Sequence, residues 1–241
     1  MLILAVDTSS RIGSAALLRD SEVLAEVSGY EETPYSTRLF RDIEALREKL
    51  AFKMDQVDVF AVAAGPGSFT GLRVGLTAAK AWAEVHRKPI AAISVLEAIA
   101  AEALSAHLLV ASGFPSIAPF LDARKGQIFG AIYRRPEDRH SDLTITTEGS
   151  ILSPDEFLEM IRGVPEGTVQ LVSPTPNVLP NDRISSALPG VTVLHVSAAL
   201  APAIGRLGFE RARRGRLVDA LSLDANYVRR SDAESAWKDG E

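Results

Sequence analysis

Three short strand-like runs crowd the first 27 residues, and their spacing constrains the fold more than any other feature of the chain. Leu2–Val6 is continuous and apolar, and Ser14–Leu18 and Val23–Val27 follow at hairpin distance. Gly13 opens the second run, and Arg19, Asp20 and Ser21 supply the turn into the third, so the three read as an antiparallel meander. In STRLFRDIEALREKLAF, Leu39, Ile43, Leu46 and Leu50 recur at helical spacing, with Ser36 or Thr37 as the expected cap. Val57–Ala63 is a buried strand by its aliphatic content. A glycine loop, a helix over roughly Gly71–His86, a strand at Pro89–Ile93 and a helix from Ser94 with Leu96, Ile99 and Ala103 inward complete the first hundred residues.

The order βββαβαβα joins a meander to strand–helix alternation. It predicts a mixed sheet covered by helices, the arrangement of a ribonuclease-H-like α/β domain. The chain has 241 residues, more than the roughly 150 of an average domain, which favours a second lobe. That lobe starts near Pro115, where Ile117–Leu121 and Gln127–Tyr133 form a hairpin around Asp122-Ala-Arg-Lys-Gly126. Beyond it, prolines at 165, 174, 176, 180 and 189 punctuate short strands at Thr168–Val172 and Val191–Val196. A last helix over Ser197–Arg214 ends at Gly215, with Arg211, Arg213 and Arg214 matching its dipole. The expected lobes are 1–106 and 107–230, with the last helix packing back on the first lobe, followed by a flexible tail at 231–241.

Several chemistries drop out on composition. The chain has no cysteine, which removes disulfides, thiolate zinc, iron–sulfur clusters and cysteine nucleophiles. The apolar start breaks at Asp7 with no basic stretch before it, unlike a signal peptide, and no run of about 18 apolar residues follows, so a soluble, cytoplasmic protein without membrane contact is expected. The net charge of −5 argues against binding nucleic acid over the whole surface.

The loop AAGPGSFTGLRVG, Ala63–Gly75, poses the central question: does it hold a phosphate or a protein? A P-loop needs G-x-x-x-x-G-K-[ST], but counting from Gly65 puts Thr70 at the second glycine and leaves Lys80 deep in the helix. A dinucleotide fingerprint wants glycine where Thr70 follows Gly67, and after the first strand of its unit. What survives is a tight turn, then Gly71, Gly75 and Ala78 or Ala79 along one helix face. Each glycine costs about 1 kcal/mol of helix propensity, so a close approach must offset it. Packing in the chain's own core and a seam for a partner's helix serve equally well.

Asp7-Thr8-Ser9-Ser10 resembles the first phosphate turn of the actin, Hsp70 and sugar kinase superfamily, in which an aspartate orients magnesium or water and hydroxyls approach the phosphate. An aspartate ending a strand is also a common turn former. The glycine pairs that should complete a nucleotide site are missing: the second lobe offers only the bulky Asp122–Gly126 turn, and no Gly-Gly dipeptide occurs. His86, His107, His140 and His195 stand too far apart for a helical metal pair, no serine sits in a G-x-S-x-G elbow, and Asp122 and Asp155 do not form a motivated carboxylate pair. Arg206–Arg216 is the basic concentration. It reads first as a solvated helix end and second as a contact for RNA phosphates.

LILAVDTSS, GPGSFTGLRVGLTAAKA, PIAAISVLEAIA, DARKGQIFGAIY and the terminal NYVRR and AWK are together similar to the TsaB/YeaZ family, in order and over nearly the whole chain. The resemblance implies a two-lobed ASKHA (actin/Hsp70-like) fold of the glycoprotease-related superfamily. It also implies a part in making N6-threonylcarbamoyladenosine beside the anticodon of tRNAs that read codons beginning with A. In that family TsaC makes threonylcarbamoyl-AMP and TsaD, with its histidine metal site and ATP-type cleft, transfers the group. The family's members are non-catalytic partners of TsaD, joined by the ATPase TsaE. The implied cofactors are none of this chain's own, with ATP and metal on TsaD and TsaE; the implied assemblies are a heterodimer with TsaD, tRNA reached through the complex, and a homodimer of the isolated chain. Asp7, Thr8 and Ser9 would be a degenerate phosphate turn.

Carried over by position, the partner interface takes Tyr35, Arg38, Leu39, Asp42 and Ile43 from the first helix and Thr70, Gly71, Arg73, Val74, Gly75 and Ala78 from the second. Tyr35-Ser36 stands where the family often has a histidine followed by a hydroxyl residue, so a role for that histidine does not transfer, although tyrosine is a good interface anchor. The competing expectation is an ATP-dependent ASKHA kinase or protease-like enzyme acting on its own.

Overall fold

The computed structural model describes residues 1–30, 33–105, 115–135, 143–165 and 169–223. The lobe boundary at 106/107, His107, His140, the start of the strand expected at Thr168, the NYVRR and AWK segments and the tail at 231–241 lie outside the described residues.

The first sheet is built from β1 (Leu2–Asp7), β2 (Ile12–Arg19), β3 (Glu22–Tyr30), β4 (Val59–Gly65) and β5 (Ile90–Ser94), in the order β3-β2-β1-β4-β5. The meander β1–β2–β3 is antiparallel, and β4 and β5 add to β1 in parallel. Two-residue hairpin turns can only join antiparallel neighbours, whereas each parallel strand needs a helical crossover. Those crossovers contain α1 (Tyr35–Leu50) and α2 (Phe69–His86). After β5 comes α3 (Val95–Ser105), and the last helix, α6 (Ala201–Arg213), returns to the first sheet, lying against β1, β2, β4 and β5.

The helices cover both faces of this sheet, and strand alternation shows how. A Cβ at Gly208 of α6 would meet Ala61 at 2.8 Å, while a Cβ at Gly75 of α2 would come within 3.6 Å of Val62. Ala61 and Val62 are successive residues of β4 and so point to opposite faces. The core fills accordingly, with Ile3, Leu4, Leu17, Leu18, Phe60 and Ile90 fully buried.

The second sheet holds β6 (Ser116–Arg124), β7 (Gln127–Arg134), β8 (Thr144–Leu152), β9 (Val169–Ser173) and β10 (Val193–His195), in the order β10-β9-β6-β7-β8. It repeats the plan of the first: an antiparallel meander, then two parallel strands added beside its first strand. Its helices are short. Ser153 caps α4 (Pro154–Arg162) in a reciprocal pair with Glu156, at 3.2 and 2.7 Å, with Pro154 in the first turn. Phe157 of α4 meets Phe120 at 5.5 Å between ring centres, and α5 (Asn181–Ala187) adds Ile184 to the same cluster.

Three expectations are corrected. Pro34, not Ser36 or Thr37, precedes the first turn of α1 and no side chain caps it, so both hydroxyls lie within the helix. Helix α6 begins at Ala201 rather than Ser197, because Pro202 belongs in a first helical turn and Ser197 closes a local turn onto the Ala199 amide at 3.1 Å. The stretch between β7 and β9, to which the sequence reading assigns no element, contains β8 and α4. At the other end of α6, Gly215 has φ +67° and the Arg216 amide donates to Arg211 at 2.8 Å, the glycine-terminated ending expected there.

Gly208→Val is expected to cost about 1–3 kcal/mol through overpacking against β4. Gly29→Ala, whose Cβ meets nothing within 4 Å, should add roughly 0.4–1 kcal/mol by restricting the unfolded chain. Urea denaturation of both variants measures the contrast.

Candidate functional site

The turn after β1 is held from within the chain. Asp7 Oδ1 accepts the Ser9 amide at 2.8 Å, and Thr8 Oγ1 donates to the Gly71 carbonyl at 2.7 Å. The Ser9 carbonyl accepts the Ser68 amide at 2.7 Å, and Ser68 Oγ in turn accepts the Gly71 amide at the start of α2. A Cβ at Gly67 would lie 2.6 Å from the Ser9 carbonyl oxygen, and one at Gly71 would collide with that of Thr8. The glycine loop is thus shaped to bring the backbone of α2 down onto strand β1.

This closure decides whether the turn can hold a nucleotide. Asp7, Thr8 and Ser9 are 1%, 2% and 3% exposed. Burial raises the Asp7 pKa above its ordinary value, against hydrogen bonding from Ser9 and the charge of Arg38, which lower it. The buried Arg38 guanidinium reaches across Gly13, donating to the Arg11 carbonyl at 2.6 Å. Asp7 Oδ2, Ser9 Oγ and Arg38 Nη2 have no hydrogen-bond partner among the described residues, but all three are enclosed. A phosphate would find the Thr8 hydroxyl and the Ser9 amide already bonded. A divalent metal would meet a cation beside its only carboxylate. The residues present do not fit a magnesium nucleotide.

Helices α1 and α2 pack side by side over this turn, and the structure divides the expected interface in two. Arg38, Leu39, Asp42, Ile43, Gly71, Gly75 and Ala78 are buried within the chain. Tyr35 and Val74 are half-buried, and Thr70 and Arg73 are exposed. The small face of α2 is therefore a seat for Thr8, not an open groove. A three-and-four spacing states which residues share a face but not what that face meets. The Tyr35 ring comes within 3.1 Å of a Cβ at Gly71 and lies 5.4 Å from the Arg38 guanidinium, so it covers the seam of α1, α2 and the turn.

The outward side carries apolar residues that the periodic reading missed. Phe40 is 57% exposed and Val85 75%. Phe40 meets Trp82 edge to face at 6.3 Å, Trp82 rests on Phe60 at 5.7 Å, and Val85 follows one helical turn later. Arg73 stacks over Phe69 at 4.0 Å. The signal lay in the sequence: Phe40 sits next to Leu39 but off the stripe of Leu39, Ile43, Leu46 and Leu50, a large apolar residue on a helix face that should be polar.

Other candidates are taken up structurally. The Arg206–Arg216 stretch is laced with carboxylates: Arg211 pairs with Glu97 at 2.6 Å, Arg206 with Glu102 at 4.0 Å, and Arg213 and Arg214 with Glu210 at 3.6 Å. Asp122 Oδ1 accepts the Arg124 amide at 2.7 Å inside its own turn, and Asp155 pairs with Arg183 at 3.0 Å. His86 lies beside the Phe60 ring, and His195 Nε2 is 3.1 Å from the Pro174 carbonyl. Among the described residues no three histidine or acidic side chains are grouped to hold a metal, and no helix is long and apolar enough to cross a membrane.

Comparison with known proteins places these features in a family. Residues 32–167 match the family described as TsaD: tRNA N6-adenosine threonylcarbamoyltransferase. The tRNA threonylcarbamoyladenosine biosynthesis protein TsaB of Bacillus subtilis is 29% identical over 237 residues, 98% of either chain. TsaB of Escherichia coli is 29% identical over 140 residues, 57% of either chain. YeaZ from Pseudomonas aeruginosa, at 22% identity, superposes with a TM-score of 0.74 over 94% of this chain and 99% of its own. The chain belongs to the TsaD family, in its TsaB/YeaZ group, and has the two-lobed ASKHA-like α/β fold.

Proposed function

We propose that this chain is a non-catalytic, activating subunit in the formation of N6-threonylcarbamoyladenosine beside the anticodon of tRNA. It pairs with a TsaD-type transferase through the outer side of α1 and α2. The observation that carries the reading is the closed turn after β1: Asp7, Thr8 and Ser9 are buried, and Asp7 Oδ1 and the Thr8 hydroxyl are bonded inside the chain, where an enzyme of this fold class would keep them open to phosphate. The Bacillus subtilis relative, a tRNA threonylcarbamoyladenosine biosynthesis protein matched over nearly its full length, supports the pathway. The exposed Phe40 and Val85 beside Trp82 support the docking face, since large apolar and aromatic residues concentrate in binding hot spots.

On this reading Tyr35, Thr70, Arg73 and Val74 flank the contact. The seven buried residues act beneath it by fixing the two helices. ATP and metal reside on the transferase and on a TsaE-type ATPase, tRNA is engaged through the assembly in the cytoplasm, and the isolated chain pairs with itself through the same face.

A reconstituted reaction containing TsaC, TsaD and TsaE, tRNA, ATP, threonine and bicarbonate should lose tRNA modification when this chain is omitted. Equal modification in both samples, or ATP hydrolysis by this chain alone that Asp7→Ala abolishes, would overturn the proposal. Phe40→Asp and Val85→Asp should keep the circular dichroism of the parent while weakening TsaD binding at least about tenfold, or 1.4 kcal/mol, in calorimetry. They should also shift the isolated chain toward monomer in sedimentation. Unchanged TsaD affinity in both variants would rule out this face.

A further inference from the structure

A cavity of about 390 Å³ lies between the two sheets, away from the α1–α2 face. Pro66, just past β4, and Ser94, the last residue of β5, put it at the carboxyl ends of two parallel strands, where open α/β sheets leave a crevice for ligands. Its volume is within the range of small-molecule sites.

The polar groups gather at one end. Ser94 Oγ and Tyr133 OH are 3.5 Å apart, and the Glu97 amide reaches Ser94 Oγ only at 3.5 Å, so both hydroxyls hold their neighbours at the outer limit of a hydrogen bond. Tyr133 is 4% exposed, and burial pushes its hydroxyl up to about 12, which keeps the proton on it at neutral pH. Arg211 brings a guanidinium with five N–H donors. Among the described residues it makes one side-chain hydrogen bond, to Glu97 at 2.6 Å. That bond fixes the guanidinium in place and leaves donors for a ligand. Leu96, Leu143, Ile145 and Leu207 supply an apolar part of the wall, alongside the charged Glu148 and Arg216, and Ile145 is 47% exposed.

We propose that this cavity binds a small organic monocarboxylate with an apolar body, its head held by Arg211, Tyr133 and Ser94. Three donors lining one cavity suit an oxyanion, and a planar guanidinium suits a carboxylate. Arg211 and Arg216 are balanced by Glu97 and Glu148, so the lining has no net positive charge to offset the second charge of a dianion such as a phosphate monoester. An uncharged analogue would leave the polar end desolvated and unpaired.

Hexanoate, hexan-1-ol and hexyl phosphate titrated into the full chain, followed by ligand-detected NMR, test the assignment. Hexanoate should bind at least about tenfold tighter than either competitor, or 1.4 kcal/mol. Tyr133→Phe keeps the ring, and Arg211→Lys keeps a cation for Glu97. Each should weaken hexanoate about tenfold and leave hexan-1-ol unchanged. Ile145→Trp, at the exposed wall, should diminish binding of hexanoate and hexan-1-ol together. Absent hexanoate binding, equal affinity for hexan-1-ol, tighter binding of hexyl phosphate, or hexanoate affinity that neither polar variant changes would each overturn the proposal.

Discussion

The seat of Thr8 on the glycine face of α2 is the contact on which the first lobe depends. Without side chains at Gly71 and Gly75, the helix backbone comes down onto the end of β1, and Thr8 Oγ1 bonds the Gly71 carbonyl. Two glycines inside a helix cost about 1 kcal/mol each. Buried hydrogen bonds at about 0.5–1.5 kcal/mol apiece, together with close packing, offset a loss of that size. The same descent places Ser68 where it caps α2 and donates to Ser9, and brings Tyr35 of α1 over Gly71. One steric fact thus closes the turn, joins the two helices and leaves their aromatic side facing out.

Most of the first lobe was legible in the sequence, because its strands are continuous apolar runs and its helices carry their apolar residues at regular spacing. Less was legible in the second. β8, TITTEGSIL, is mostly exposed or half-buried and shows no clean alternation. Helix α4 was nonetheless announced by Ser153-Pro154-Asp155-Glu156, a capping box with proline in the first turn. The repeat of one sheet plan in both lobes is a relation between pairings, and no short period in the sequence expresses it.

The burial of most of the candidate site residues within the chain was not legible in the sequence, for a physical reason. The glycine spacing pointed to a close approach, but the neighbour that approaches is Thr8, 63 residues before Gly71, and periodicity says nothing of such long-range partners. Arg38 was equally opaque. Residue type argues for an exposed arginine, yet Gly13 leaves a slot for its guanidinium across β2, and the carbonyls of Arg11, just before β2, and of Gly29 on β3 receive it. The cavity between the sheets could not be anticipated either, since Ser94, Tyr133 and Arg211 are brought together only when α6 returns to the first lobe.

Among the described residues, two charged pairs tie the returning helix to α3, Arg211 with Glu97 and Arg206 with Glu102. Arg211 of α6 reaches Glu97 at the start of α3, and α3 packs on β6 and β7 of the second sheet. Glu97 and Arg211 are largely withdrawn from water, so their attraction is less screened than that of surface pairs such as Arg47 and Glu44. Removing one member of such a pair strands the other, which is more damaging than replacing both. The basic stretch, which reads in the sequence first as a solvated helix end and second as a contact for RNA phosphates, is therefore a tie between elements of the fold. Its carboxylate partners neutralise it locally, and a chain with net charge −5 has little attraction left there for phosphate backbones.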